Sequence, residues 1–276
     1  MSTVLEARGV TAGYDGRPVL HGVDLTVESG TVTTLIGRNG CGKSTLLRTL
    51  GRLHKPAGGV LELHGRPYRD YGAKAFAREV ASLPQTLLAP PGLTVRDLVL
   101  RGRNPHQRFT APWTREDAAA VGRVLDEIGL AHVADRPVAG LSGGQRQRAW
   151  LGLVLAQEAS ILLLDEPTTF LDLSHQLDVL DLVQQVGRAG RTVVMVLHDL
   201  GLAARCSDRL VAVHDGRLVA DGDPAEVLRE DLLAEVFGLE ARVVPDPVTG
   251  TPLVVPVRTL PAPSLPITDA PHERHR

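Results

Sequence analysis

Three short segments of this 276-residue chain carry residue types and spacings suited to phosphate chemistry. Gly37-Arg38-Asn39-Gly40-Cys41-Gly42-Lys43-Ser44-Thr45 is a glycine-rich loop closed by a lysine and two hydroxyls. Its glycines let backbone N–H groups approach a phosphate, Lys43 places a cation at the β- and γ-phosphates, and Ser44 offers a hydroxyl to Mg²⁺. Asp165 and Glu166 follow the apolar run Ile161-Leu162-Leu163-Leu164. A carboxylate emerging from the end of a buried strand can ligate Mg²⁺ directly or through water, and its neighbour can orient and polarise the water that attacks phosphorus. Leu141-Ser142-Gly143-Gly144-Gln145 is a small polar loop opening a helix, where free backbone N–H groups could receive an anion. One chain already has a phosphate cradle in the first loop, so the second has no obvious use within a monomer. In this order the three segments predict an ATPase whose site is completed by a second copy of itself.

Other residues gain meaning only in company. His198 closes the apolar run Thr192 to Leu197 and should emerge at the same edge as the carboxylates, where it could bond a γ-phosphate or the attacking water. A lone histidine there is more often structural. Gln85 follows the short run Val80 to Pro84, and by itself a loop glutamine says nothing. Tyr14 is a rare aromatic ahead of the glycine loop that could stack on adenine; the plainer reading is an exposed turn tyrosine.

These groups need a scaffold, and the patterning supplies one. Val4 to Val10 and Val23 to Val27 alternate as half-buried strands, as does Val60 to Leu63. Thr31 to Ile36 is more apolar and feeds the glycine loop, after which Lys43 to Leu53 reads as a helix. From Thr94 to about Ala156 the period turns helical; Thr114-Arg115-Glu116-Asp117 is a capped start and Val121, Val124, Leu125 and Ile128 keep one face. Then fully apolar strands, Ile161 to Leu164 and Thr192 to Leu197, flank a helix over Leu173 to Val186, as a buried parallel sheet requires. Val211 to Val213 and Arg217 to Ala220 form a hairpin through Asp215-Gly216, and Asp223-Pro224 opens a helix. Val243-Val244 and Leu253 to Val255 suggest a last hairpin. The tail from Pro261 is rich in proline and polar residues and is expected to be disordered.

Composition narrows the function further. Hydrophobic content is 43% and the formal net charge −2, which gives an ordinary globular balance without the basic footprint of a nucleic-acid binder. Only 3% of residues are aromatic, too few for base-stacking platforms. Cys41 and Cys206 fit no metal spacing and read as reduced thiols, Cys41 as a small filler inside the loop. The N-terminus lacks the basic-then-apolar order of a signal peptide, and no apolar run approaches the roughly 20 residues needed to cross a bilayer.

Taken together these residues resemble the nucleotide-binding subunit of ABC transporters, over Val4 to Val257. The resemblance implies an α/β fold: a P-loop NTPase core with an N-terminal antiparallel β subdomain and an inserted α-helical subdomain at about 90–156. One ATPase domain would span 1–257, with a proline-rich disordered tail over 258–276. It assigns Tyr14, Gly37, Asn39, Gly40, Cys41, Gly42, Lys43, Ser44 and Thr45 to ATP, and Ser44, Gln85 and Asp165 to Mg²⁺. Glu166, His198, Gln85 and Lys43 take catalytic roles. Ser142, Gly143, Gly144 and Gln145 form the signature that meets the nucleotide of a partner subunit in trans, and Asp172 lies in the adjoining D-loop. Partners implied are a second ATPase subunit, membrane permease subunits and, indirectly, an extracytoplasmic binding protein, with this subunit on the cytoplasmic face of the membrane. The segment Thr86 to His106, with Leu87, Leu88 and Leu93 as exposed apolar contacts, would line the groove for the permease.

A finer likeness lies outside the catalytic motifs. Arg101 to His106, Thr168 to Gln176 and Asp246 to Gly250 look like the ATPases of ferric-siderophore importers, with cobalamin and haem importers close by. The leading expectation is an importer ATPase for iron–siderophore complexes, and the alternative within transport is a haem, cobalamin or other metal-chelate importer. A soluble ABC ATPase acting on ribosomes or DNA fits less well, because the chain has one cassette and neither a heptad run nor a cysteine cluster.

Overall fold

The computed structural model describes residues 2–85, 87–107 and 112–260. Its N-terminal layer begins with β1 (Thr3–Tyr14) and β2 (Arg17–Glu28), joined by Asp15-Gly16 with φ of 49° and 75°. Positive φ at both central residues is the hairpin geometry that Asp-Gly favours. β3 (Val32–Ile36) leaves this layer and runs into the glycine loop, which opens α1 (Lys43–Leu50). α1 stops three residues before the predicted end, because Gly51 caps it and Arg52 turns to φ 56°. β4 (Gly58–Leu63) and β5 (Arg66–Pro67) complete a four-stranded sheet ordered β2-β1-β4-β5 with antiparallel pairings.

The second layer is a six-stranded sheet. α2 (Ala73–Glu79), missed by the sequence reading, leads into β6 (Val80–Leu83). The helical insertion follows as α3 (Val95–Arg101), α4 (Arg115–Glu127) and α5 (Gly143–Ala156). β7 (Ile161–Asp165), α6 (Leu173–Arg188), β8 (Thr192–Val196), α7 (Leu200–Cys206), β9 (Arg209–His214) and β10 (Arg217–Gly222) then alternate. The strand order is β10-β9-β3-β8-β7-β6, parallel throughout except for the edge strand β10. α8 (Pro224–Val227), α9 (Glu230–Phe237) and the hairpin of β11 (Leu239–Pro245) with β12 (Pro252–Thr259) finish the described chain. The hairpin extends to Thr259, so 258 and 259 belong to the domain rather than to the tail; the expected disorder from 261 onward lies outside the described residues.

Strand alternation divides the core between the two faces of this sheet. Leu162, Leu164, Val193 and Met195 pack toward the helical insertion and α6, whereas Ile161, Leu163, Val194 and Val196 pack toward α1 and the antiparallel sheet. With both faces covered, the strands must be apolar along their whole length. α1 is buried between the two sheets, with Leu46, Leu47 and Leu50 in the shared core and even Lys43, Thr45 and Thr49 shielded from water.

The insertion is clamped by a buried arginine. Arg103 donates through Nε to Asp117 Oδ1 at 3.1 Å, and through Nη1 to the Ala156 carbonyl at 3.1 Å and to Glu158 Oε2 at 2.6 Å. Asp117 also closes the capping box with Thr114 at the start of α4. One guanidinium thus ties the chain after α3 to the start of α4 and the end of α5. His106 reaches the Gln157 carbonyl at 2.8 Å, so part of the Arg101–His106 motif holds the insertion together.

Removing one partner of a buried ion pair leaves the other charge uncompensated, at a cost of about 3–5 kcal/mol. Arg103→Ala should therefore lower the stability of the chain by about 3 kcal/mol in urea unfolding. Hydrogen exchange should show the loss of protection concentrated in α3 and α4.

Candidate functional site

The glycine loop folds as it does because α1 cannot move. Gly37 adopts φ 146°, and a Cβ there would run into the Val213 carbonyl oxygen and the Cys41 sulfur, so the loop requires glycine at its entry. Cys41 is buried as the expected filler. Lys43 Nζ donates to the carbonyls of Gly37 at 2.8 Å and Arg38 at 2.9 Å, which holds the ammonium over the loop.

A cavity of about 480 Å³ opens above it, lined by Asn39, Gly40, Gly42, Lys43, Ser44 and Thr45 together with Gln85, Glu166, His198 and Val19. Residues spread over more than 150 positions of sequence converge because β3, β7 and β8 are neighbours and all end at this edge of the sheet. Val19 of β2 and Thr169 were not anticipated. Val19 carries no sequence signal, and Thr169 appeared only inside the subfamily motif.

The two carboxylates differ in environment. Asp165 is buried at the end of β7 and accepts from Ser44 Oγ at 2.8 Å through Oδ1. Its Oδ2 is buried without a hydrogen-bond partner, while Arg48 Nη2 stands 3.6 Å away as a charge contact only. Burial pushes the Asp165 carboxyl up, and the Ser44 bond and the Arg48 charge offset only part of that. An orphaned carboxylate oxygen beside a serine hydroxyl suits a hard divalent cation, so Ser44 and Asp165 fit Mg²⁺. Glu166 sits in the left-handed region at φ 52°, a strained conformation for this residue that aims its side chain across the cavity. His198 Nε2 stands 2.6 Å from Glu166 Oε1, and Thr169 Oγ1 donates to Oε2 at 2.9 Å. Burial raises the Glu166 carboxyl, but the bonds from His198, Thr169 and Gln85 outweigh it and leave the group below the ordinary carboxylate range.

The signature loop does not join this cavity. Ser142 caps α5: its Oγ accepts from the Gln145 N–H at 3.2 Å, and Gln145 Oε1 accepts from the Ser142 N–H at 3.2 Å. Gly143 and Gly144 lie in the first turn of this 14-residue helix, where backbone N–H groups have no intrahelical acceptor. Gly143 lines a separate cavity of about 420 Å³, which meets the first at Gln85 and Glu166. Tyr14 ends β1 outside the phosphate cavity, 43% exposed, with its ring 4.5 Å from that of His54. Asp172 caps α6, accepting from the His175 N–H at 3.0 Å, His175 Nδ1 at 2.6 Å and Ser174 Oγ at 2.9 Å. Of the apolar residues expected on the permease groove, Leu88 is exposed, but Leu87 and Leu93 are half-buried against the core. Both pack against the core cluster that the helical insertion shares with the parallel sheet; Thr86 lies outside the described residues.

A parallel sheet with a phosphate loop between strand and helix, two carboxylates at its carboxyl edge and a separate glycine-rich helix start defines a P-loop nucleotide hydrolase of the cassette type. Residues 20–169 match the family model for ABC transporters. The chain is 48% identical over 255 residues to the achromobactin transport ATP-binding protein of Dickeya dadantii, covering 92% of this chain and 95% of that one. It is 46% identical over 260 residues to the ferric enterobactin transport ATP-binding protein of Escherichia coli, covering 94% and 96% respectively. A solved structure described as an inward-facing metal-chelate type ABC transporter superposes with a TM-score of 0.81 at 27% identity, covering 94% of this chain and 98% of that chain. This chain belongs to the ATP-binding subunits of the ABC transporter family, the subunits that hydrolyse ATP to drive transport. Among the described residues no helix is long and apolar enough to cross a membrane.

The Asp172 cap has a pH signature. The backbone N–H of His175, then its ring and Ser174, hold this carboxyl at about 2 against an ordinary 3.8. A folded pKa below the unfolded one stabilises at pH above the unfolded value and loses that contribution as pH falls through the folded value. Asp172→Asn should therefore cost stability at neutral pH, with the difference from wild type shrinking below about pH 4. Urea unfolding at a series of pH values checks this.

Proposed function

We propose that this chain powers the import of iron–siderophore complexes through a separate membrane permease, acting from the cytoplasmic face as a head-to-tail pair of identical subunits. The observation that carries the pairing is the separation of the two anion sites. Ser142, Gly143 and Gly144 form a finished helix start away from their own phosphate cavity, so a nucleotide can be enclosed only if a second copy brings its signature to the first copy's loop. The cargo reading is supported by the achromobactin and enterobactin relatives, and an extracytoplasmic binding protein would deliver the complex to the permease.

The geometry suggests how the residues divide the work. When the triphosphate enters, Lys43 exchanges the Gly37 and Arg38 carbonyls for β- and γ-phosphate oxygens. Ser44 and Asp165, together with Gln85, would hold Mg²⁺, which when bound would supply positive charge beside the phosphates. Glu166 accepts the proton of the attacking water as oxygen bonds to phosphorus and the bond to the β-phosphate oxygen breaks. His198 and Thr169 hold that carboxylate, and His198, being partly exposed, can also reach the γ-phosphate. Tyr14 presents its open ring to adenine, and Gly37, Asn39, Gly40, Cys41, Gly42 and Thr45 complete the cradle.

Glu166→Gln should retain Mg-ATP binding and lose hydrolysis by about 100-fold or more, since the cradle stays and the base goes. Size exclusion with light scattering should then show an ATP-dependent dimer. Normal turnover by this variant would remove Glu166 from the mechanism.

The cargo is tested by deleting the gene. Growth on a siderophore as the only iron source should fail and excess free iron should restore it. Unchanged uptake of every siderophore tested, with loss of haem or cobalamin uptake, would overturn the siderophore reading and leave the ATPase standing.

A further inference from the structure

His175 lines neither of the two cavities, yet it touches the elements that serve both. Its imidazole lies so close to Gly144 that a Cβ on the glycine would overlap ring carbon Cδ2. Its Nδ1 is 2.6 Å from Asp172 Oδ1. From Asp172 the connection runs back to Glu166 through a tight turn, with Leu171 N–H to the Thr168 carbonyl at 3.3 Å, Thr169 N–H to the Glu166 carbonyl at 3.2 Å and Thr169 Oγ1 to Glu166 Oε2 at 2.9 Å. A continuous series of contacts therefore links the Glu166 carboxylate to the start of α5.

We propose that His175 is a positioning residue that transmits the state of one nucleotide site to the other. The inference rests on the head-to-tail pair proposed above. In that pair Glu166 serves the nucleotide on its own chain, while Ser142 and Gly143 of the same chain face the partner's. A shift of the turn after Glu166, as its water is consumed, moves Asp172. The imidazole wedged against Gly144 moves the start of α5 with it, and so alters the grip on the partner's γ-phosphate. His175 suits this task because its side chain is one-third exposed. It is held by these contacts rather than by the core, so its removal should leave the fold intact.

The test is steady-state hydrolysis by the full chain against Mg-ATP concentration, at a protein concentration where Glu166→Gln is dimeric. Wild type should be cooperative, with a Hill coefficient approaching about 2 for two coupled sites. His175→Ala and His175→Asn should both bring the coefficient to about 1 and lower kcat by about 2- to 30-fold, the range of coupling changes along such networks. Binding of Mg-ATP to the isolated subunit should be unchanged, because no cradle residue is touched. The Asn variant can keep a donor for Asp172 without the ring against Gly144, so it separates the wedge from the helix cap. Wild-type cooperativity and kcat in His175→Asn would overturn the proposal. So would loss of folded protein in both variants, which would mark a purely structural role. A wild-type coefficient of 1 with an inactive Ser142→Arg would overturn the coupling and leave the pair standing. A coefficient of 1 with normal turnover by Ser142→Arg would overturn the pair itself.

Discussion

Everything at the site depends on the burial of α1 between two sheets. A phosphate loop works only if its N–H groups stay aimed while the nucleotide comes and goes, and a surface helix would not hold them. Here Leu46, Leu47 and Leu50 are sealed on one side by the antiparallel sheet and on the other by β7 and β8. This explains why the chain spends its first 28 residues on a hairpin that contributes little to the site directly. The hairpin is the second wall of the slot. Val19 shows the economy of the arrangement, since the same wall also edges the phosphate cavity.

The sheet edge then sorts the two carboxylates into different chemistries. Asp165 remains on the strand, buried, with one oxygen on Ser44 and one unpartnered. Glu166 is the first residue beyond the strand, and its left-handed backbone turns it away from its neighbour toward His198. A one-residue step and a backbone strained at that step separate a group poised for a cation from a group poised for a water molecule. Placement of both on the strand would have sent their side chains to opposite faces.

Much of this was legible in the sequence, for physical reasons that differ between regions. The glycine loop, the apolar strands β7 and β8 and the capped starts of α4 and α8 declare themselves through local chemistry: positive φ, burial on two faces, N-terminal hydrogen bonding. α2, α7 and α9 went unread because they are only seven or eight residues long, too short for a helical period to stand out from the flanking strands. Long-range contacts were also invisible. Arg103 looks like any basic residue until its three acceptors, 14 to 55 positions away, close around it. Leu87 and Leu93 read as surface residues because nothing local shows that the insertion folds back over them. Thr169, which steadies Glu166, was noticed only as part of a motif, since a threonine three residues from a carboxylate has no meaning without the turn between them.

The reciprocal bonds of Ser142 and Gln145 mean that the signature helix is already wound and capped in the single chain. Ordering a loop on contact normally consumes part of the free energy of association. Here that cost has been met during folding, so the energy of closing on a nucleotide is available to move other things. The same economy works in reverse: once the bond to the γ-phosphate is gone, no loop has to unravel before the surfaces can part. A motor that must open as readily as it closes gains from an interface that keeps its shape in both states.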